Sequence, residues 1–155
     1  MRPSKLALFA LVAVVGIFVG TAIAAHRPPP TIDSVSRGRI GHLDASNQRV
    51  RVERTKGSAD HAVVALTFTP GSSTGWHTHP GVVLVTVASG RLQHWIGCNK
   101  TVYEAGESFV EQGHVGLARN VWDVDTKVYA TWIMPSWKQA LTVPAAAPSG
   151  CSHVH

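Results

Sequence analysis

From about Arg37 onward, the chain consists of short runs of alternating hydrophobic and polar residues, separated by Gly, Pro, Asn or Asp. The runs are rich in Val, Thr, Phe, Tyr and Trp, which suit the pleated, half-buried surface of a strand. Short runs at this spacing, with no amphipathic stretch of helical length, predict an all-β sandwich or barrel. The eight predicted strands are 48–54, 61–69, 82–88, 91–96, 101–103, 107–111, 117–123 and 127–134.

The first residues follow a different pattern. A short basic start with Arg2 and Lys5 precedes an apolar, charge-free stretch over 6–25, which contains the small-residue site Ala22-Ile23-Ala24. This pattern is typical of a secretory signal peptide over 1–24, cleaved after Ala24. Because twenty apolar residues are also long enough to span a bilayer, an uncleaved anchor remains the alternative. Both alternatives place the domain outside the cytoplasm.

The remaining chain divides into three predicted parts. Residues 25–36 contain three consecutive prolines and are predicted to form an extended linker. Residues 37–140 contain all eight predicted strands and are predicted to form one β-barrel domain, and residues 141–155 are predicted to be a C-terminal tail. A chain of 155 residues has room for one domain.

Composition excludes several classes of protein. Hydrophobic residues make up 45% and charged residues 15%, so the chain can bury a core. Lys and Arg number 14 against 9 Asp and Glu, and without Arg2 and Lys5 the balance is 12 − 9 = +3. No basic run interleaved with aromatic residues appears, so we predict no nucleic-acid partner. The chain also lacks a phosphate-binding loop and an HExxH helix.

The two cysteines, Cys98 and Cys151, are 53 positions apart and form no CxxC motif. In an oxidising compartment such a pair usually forms a disulfide, which here would attach the tail to the domain. The alternative is two free thiols.

The clearest candidate for chemistry is His77-Thr78-His79. Residues i and i+2 of a strand point to the same face, so the two imidazoles can meet at one point. Two imidazoles favour a divalent metal such as Zn, Fe, Mn, Cu or Ni, but they rarely complete a site. The alternative is a polar pair at the surface or at the mouth of the barrel.

The surroundings of this pair resemble the first motif of the cupin superfamily, G-x5-H-x-H-x3-E-x6-G, with Gly71, His77, His79 and Gly90 in register. Residues 106–111 and 117–120 resemble the second motif, which opens with Gly-Asp/Glu and ends in His-x3-Asn. The resemblance covers about half the chain. It implies a double-stranded β-helix, or jelly roll, with its site inside the barrel.

Two positions depart from the cupin pattern. The glutamate of the first motif, usually a metal ligand, falls on Val83, and the histidine of the second motif falls on Gly116. Three residues are candidates to replace these ligands: His114, His94 and Glu111. We predict His77, His79 and His114 as the metal ligands. Each candidate also has a structural alternative: a polar loop residue, a barrel-lining residue and a solvated strand end, respectively.

Two functions follow from this sequence. The first is an exported cupin that binds a small molecule, and a divalent metal, inside the barrel without turnover; the loss of ligands at Val83 and Gly116 favours it. The second is a metal-dependent cupin enzyme of the oxygenase or isomerase class that uses His77, His79 and His114. The resemblance implies this chemistry, with no substrate or catalytic residue indicated. The resemblance also allows pairing into a homodimer through edge strands, and a membrane contact is expected only if the N-terminal segment stays uncleaved.

Overall fold

A computed structural model describes residues 27–41, 43–54, 57–151 and 154. Two five-stranded antiparallel sheets and one hairpin make up the fold. The first sheet has the order β1-β4-β11-β6-β9, the second β12-β5-β10-β7-β8, and β2 pairs with β3. The strands are β1 Thr31–Ile40, β2 Leu43–Asn47, β3 Val50–Arg54, β4 Ala59–Phe68, β5 His77–Thr78, β6 Val82–Ser89, β7 Arg91–Ile96, β8 Asn99–Glu104, β9 Ser108–Gln112, β10 Gly116–Arg119, β11 Thr126–Pro135 and β12 Val143–Pro144.

The predicted all-β jelly roll is confirmed, and the described residues form no helix. Each of the eight predicted strands overlaps an observed one. The predicted strand 117–123 ends at Arg119, because the buried side chain of Asn120 holds a turn. Its amide donates to the carbonyls of Phe68 (2.9 Å) and Val124 (2.7 Å), and its oxygen accepts from the Trp122 backbone N–H (3.0 Å).

Four strands were not predicted: β1, β2, β5 and β12. β1 includes residues 31–36 of the expected linker and pairs with β4 along its length. Its side chains are mostly exposed, so the sequence shows no buried face there. β5 and β12 have two residues each and pair with each other, which places part of the expected tail in the second sheet. Strands this short leave no periodicity to detect.

The core lies between the two sheets and follows the alternation of the strands. In β6 and β11 every second residue is buried, which is the period expected of a sheet with one face against a core. The buried cluster comprises Ala62, Val64, Phe68, Val83, Val85, Val87, Leu92, Phe109, Ala118, Val128, Ala130, Trp132 and Met134.

Cys98 and Cys151 are joined in a disulfide, as predicted, with 5.3 Å between their Cα atoms. The bond ties the chain beyond β12 to the turn between β7 and β8. Cys151 is fully buried, so this end of the described chain is packed rather than loose.

The predicted signal segment, 1–24, lies outside the described residues. Within residues 27–41, 43–54, 57–151 and 154, no helix is long and apolar enough to cross a membrane.

Candidate metal centre

Strand register brings the candidate ligands together. His77 on β5 lies opposite Gly116 on β10, and Glu111 on β9 lies opposite Val83 on β6. His79 follows β5 on the same side as His77, as the His-x-His spacing predicts. The two departures from the cupin pattern, Val83 and Gly116, are therefore cross-strand neighbours of residues in the site.

His77, His79 and Glu111 form a group whose ligand atoms all lie within 4.8 Å of one another. His77 Nε2 is 3.1 Å from His79 Nε2, which is 3.0 Å from Glu111 Oε2. Two ligand atoms at right angles on an ion, with bonds of about 2.1 Å, lie about 3.0 Å apart. These two separations therefore fit adjacent positions around a divalent ion.

Backbone carbonyls fix the tautomers of both histidines. His77 Nδ1–H donates to the Gly75 carbonyl (3.0 Å), and His79 Nδ1–H donates to the Leu141 carbonyl (2.9 Å). Trp132 Nε1–H donates to the same Leu141 carbonyl at 3.1 Å. Each Nε2 is thus left with a lone pair that faces the other and the carboxylate. This is the arrangement in which metal-binding histidines are oriented by a hydrogen bond on the second ring nitrogen.

Three acceptor atoms this close require a cation or a proton between them. Burial alone would raise the pKa of Glu111, but hydrogen bonds from His79 and His94 outweigh it and lower that pKa to about 2. Burial opposes a charge on His79, yet the hydrogen bonds to Glu111 and to the Leu141 carbonyl raise the pKa of His79. For His77, burial dominates and lowers the pKa. Without a metal, the proton of the group therefore belongs on His79.

His94 holds Glu111 from the side away from His79. Its Nε2–H donates to Glu111 Oε1 at 2.7 Å, which leaves Oε2 for the group of ligands. The imidazole is 2% exposed and stacks on Phe109 with ring centres 4.2 Å apart. The expectation that His94 faces into the barrel agrees with this position, and the structure makes it a partner of the carboxylate.

Because Gly116 has no side chain, there is space beside it for Glu111 and His94. A Cβ atom at Gly116 would lie 3.3 Å from Glu111 Oε1, 3.5 Å from His94 Nε2 and 3.2 Å from the Trp95 carbonyl. Where the cupin pattern has a histidine, this chain has room for a carboxylate and an imidazole from neighbouring strands.

The structure does not bring His114 to this group. Its side chain is exposed in the turn between β9 and β10. Glu111 was one of the three candidates in the sequence, but the cross-strand pairing that selects it depends on contacts distant in the sequence. His114 as a ligand stays a prediction.

A cavity adjoins the ligands inside the barrel. The space open to the centre of a water molecule is about 60 Å³. Its described lining is mostly apolar: Leu66, Phe68, Thr74, His77, His79, Val83, Val85, Leu92, Phe109, Glu111, Ala118, Val128, Ala130, Trp132 and Thr142.

Comparison with known proteins agrees with this fold. Residues 64–130 match the family described as "Cupin domain". A search of curated proteins found no match. An uncharacterised protein with a double-stranded β-helix domain from Klebsiella pneumoniae is 21% identical with a TM-score of 0.52, over 76% of this chain and 85% of that one.

Two solved enzymes are also similar. An oxalate oxidase is 23% identical with a TM-score of 0.43, over 46% of this chain and 41% of that one. The DMSP lyase DddQ from Ruegeria pomeroyi is 17% identical with a TM-score of 0.49, over 56% and 44%. The chain thus spans about two fifths of the length of the oxalate oxidase.

Proposed function

We propose that this cupin domain binds one divalent transition-metal ion through His77, His79 and Glu111, and a small ligand beside it in the barrel. The observation behind the proposal is that backbone carbonyls accept from both Nδ1 atoms, so that both Nε2 atoms face each other and an ionised carboxylate. Protein groups that keep three acceptors together before a cation arrives lower the cost of binding it. Imidazole and carboxylate donors suit Zn, Fe, Mn, Cu or Ni.

We also propose that the domain works outside the cytoplasm. The disulfide between Cys98 and Cys151 supports this, because such bonds persist in oxidising compartments. The signal-like segment at 1–24 is the second argument, from the sequence alone.

Binding without turnover is favoured by the lining of the cavity. Apart from the three ligands, the described lining contributes no carboxylate, imidazole or amine that could act as a general acid or base. An enzyme is the second candidate, because three protein ligands leave coordination positions open for a substrate. A bound ion would supply Lewis acidity or oxygen activation there.

The test is metal content and Co²⁺ titration of the full chain. His153 and His155 are replaced by serine in every variant, so that the terminal His-x-His cannot supply the signal. We expect one ion per chain, with affinity lowered at least tenfold by Glu111→Gln and by His77→Gln. His114→Gln is the matched control and should bind as the parent does. No bound ion would overturn the proposal, and loss of the ion in His114→Gln would instead establish His114 as a ligand.

The second candidate, an enzyme of the oxygenase class, is tested by measuring oxygen uptake by the metal-loaded protein in the presence of a series of small organic acids. We expect no uptake above that of free metal. Sustained uptake that Glu111→Gln abolishes would favour the enzyme.

A further inference from the structure

The cavity beside the ligands has two chemically distinct parts. The three ligands form one part, and most of the remaining wall is aliphatic or aromatic. The Thr74 hydroxyl is already engaged, since it donates to the Gly75 carbonyl (2.9 Å) and accepts from the Ala118 backbone N–H (2.9 Å). Thr142 is exposed at the edge of the cavity. The wall away from the ligands thus offers a bound molecule little but apolar contact.

The charge of the site limits what can bind. A divalent ion with one carboxylate and two neutral imidazoles keeps one net positive charge. The described lining contains no lysine or arginine, so it provides no second positive charge for another anionic group. A single anionic oxygen on the ion would neutralise the site, whereas a further charge would be buried without a partner.

The size of the cavity limits the molecule to a few atoms. A water molecule requires roughly 10–15 Å³ of such space. The 60 Å³ present therefore corresponds to about four to six water-sized groups.

We propose that the ligand is a small monoanion with one oxygen-donor headgroup and an apolar body of two or three carbon atoms, a short-chain monocarboxylate being the simplest. This inference rests on the proposed metal site and adds the class of ligand. A hydroxyl at the far end of the ligand's carbon chain would lie against the apolar wall and lose its hydrogen bonds to water.

The experiment compares butyrate with 3-hydroxypropionate, which has the same number of non-hydrogen atoms but a hydroxyl in place of the terminal methyl. Each is titrated into the Co²⁺-loaded full chain, and the visible spectrum of Co²⁺ reports binding. We expect butyrate to bind at least tenfold more tightly. Equal affinity, or tighter binding of 3-hydroxypropionate, would overturn the inference.

A cavity-filling variant tests where the carbon chain of the bound carboxylate lies. Ala130→Leu adds volume to the apolar wall away from the ligands, and Ala118→Val is a smaller addition if the first variant fails to fold. We expect Co²⁺ binding to persist while butyrate affinity falls at least tenfold. Unchanged butyrate affinity in a variant that folds would overturn the inference.

The two proposals fail in different ways. Absence of Co²⁺ binding, measured before any carboxylate is added, would overturn the proposed metal site and this inference with it. Normal Co²⁺ binding with no preference between the carboxylates would overturn this inference alone.

Discussion

At the scale of single residues, the proton on His79 competes with a metal ion for the same nitrogen. Despite burial, the hydrogen bonds to Glu111 and to the Leu141 carbonyl raise the pKa of His79, so in the metal-free protein this imidazole holds its second proton to a higher pH than an ordinary histidine does. Burial lowers the pKa of His77, and Glu111 is ionised above a pKa of about 2. Of the three proposed ligands, His79 is therefore the one that loses a proton to a bound ion up to the highest pH.

We accordingly expect metal affinity to rise about tenfold per pH unit below the pKa of His79 and to level off above it. Calorimetric titration of Co²⁺ in buffers of different ionisation enthalpy should count about one proton released per ion below the pKa of His79 and progressively fewer above it. Glu111→Gln removes the carboxylate that raises this pKa, so the pH dependence should move to lower pH. Release of two protons, or of none, below that pKa would contradict this assignment.

His94 is a positioning residue, since it would reach the ion only through Glu111. Its hydrogen bond of 2.7 Å fixes the carboxylate, and such supporting bonds typically contribute about 10–100-fold to metal affinity. His94→Leu should lose affinity by that factor while the packing against Phe109 is kept. His94→Gln, which retains an N–H donor, should recover part of it.

Thermal unfolding of the metal-free variants separates these effects from misfolding. His94→Leu with normal metal affinity would show that His94 has only a packing role. The spectrum of bound Co²⁺ is a further readout, because a displaced carboxylate changes the ligand field whereas altered packing alone does not.

At the scale of elements, the site depends on how closely β10 approaches β5 and β7. Gly116 pairs with His77 on one side and with Ile96 on the other, and it has no side chain to separate Glu111 from His94. A methyl group there would lie at 3.2–3.3 Å from the Trp95 carbonyl and Glu111 Oε1, which is tighter than ordinary contact.

Gly116→Ala should therefore displace the Glu111 carboxylate and lower metal affinity at least tenfold. Gly38→Ala on β1 is the matched control, because a Cβ there meets nothing within 4 Å. Both variants are measured by Co²⁺ titration and thermal unfolding. Equal affinity in the two variants would mean that the space at Gly116 is not needed for the site.

The sequence predicts the parts of this site that depend on local spacing. It does not single out the residues whose position depends on the pairing of distant strands. His77 and His79 follow from a two-residue period, and eight of the twelve described strands follow from their own pattern, whereas β1 has ten residues but is mostly exposed and shows no buried face. Glu111 could only be one of three candidates, because its position opposite Val83 is decided by the register of β6 with β9. The carbonyl of Leu141 leaves no signal in the sequence, since any residue has a carbonyl.

At the scale of the whole molecule, a disulfide bond joins the last described segment to the body of the domain. The disulfide closes a loop across a sequence separation of 53 residues. In the chain-entropy model, such a link stabilises the fold by about 2–4 kcal/mol.

Replacing both cysteines by serine should lower the free energy of unfolding by about that amount, measured by urea denaturation of the oxidised and variant proteins. The double variant avoids leaving one reactive thiol. Its metal affinity, measured under conditions where it stays folded, should remain within a few-fold of the parent, because neither cysteine belongs to the ligand group. A change in stability below about 0.5 kcal/mol would contradict the assigned role.

The hydrogen bond from His79 to the Leu141 carbonyl has a consequence for biogenesis. Leu141 follows the last long strand, so during synthesis the barrel strands emerge before the group that selects the tautomer of His79. An incomplete chain would leave that imidazole able to exchange its proton between both nitrogens. Metal capture is therefore expected to be a late event in the life of the molecule, following assembly of the barrel instead of guiding it.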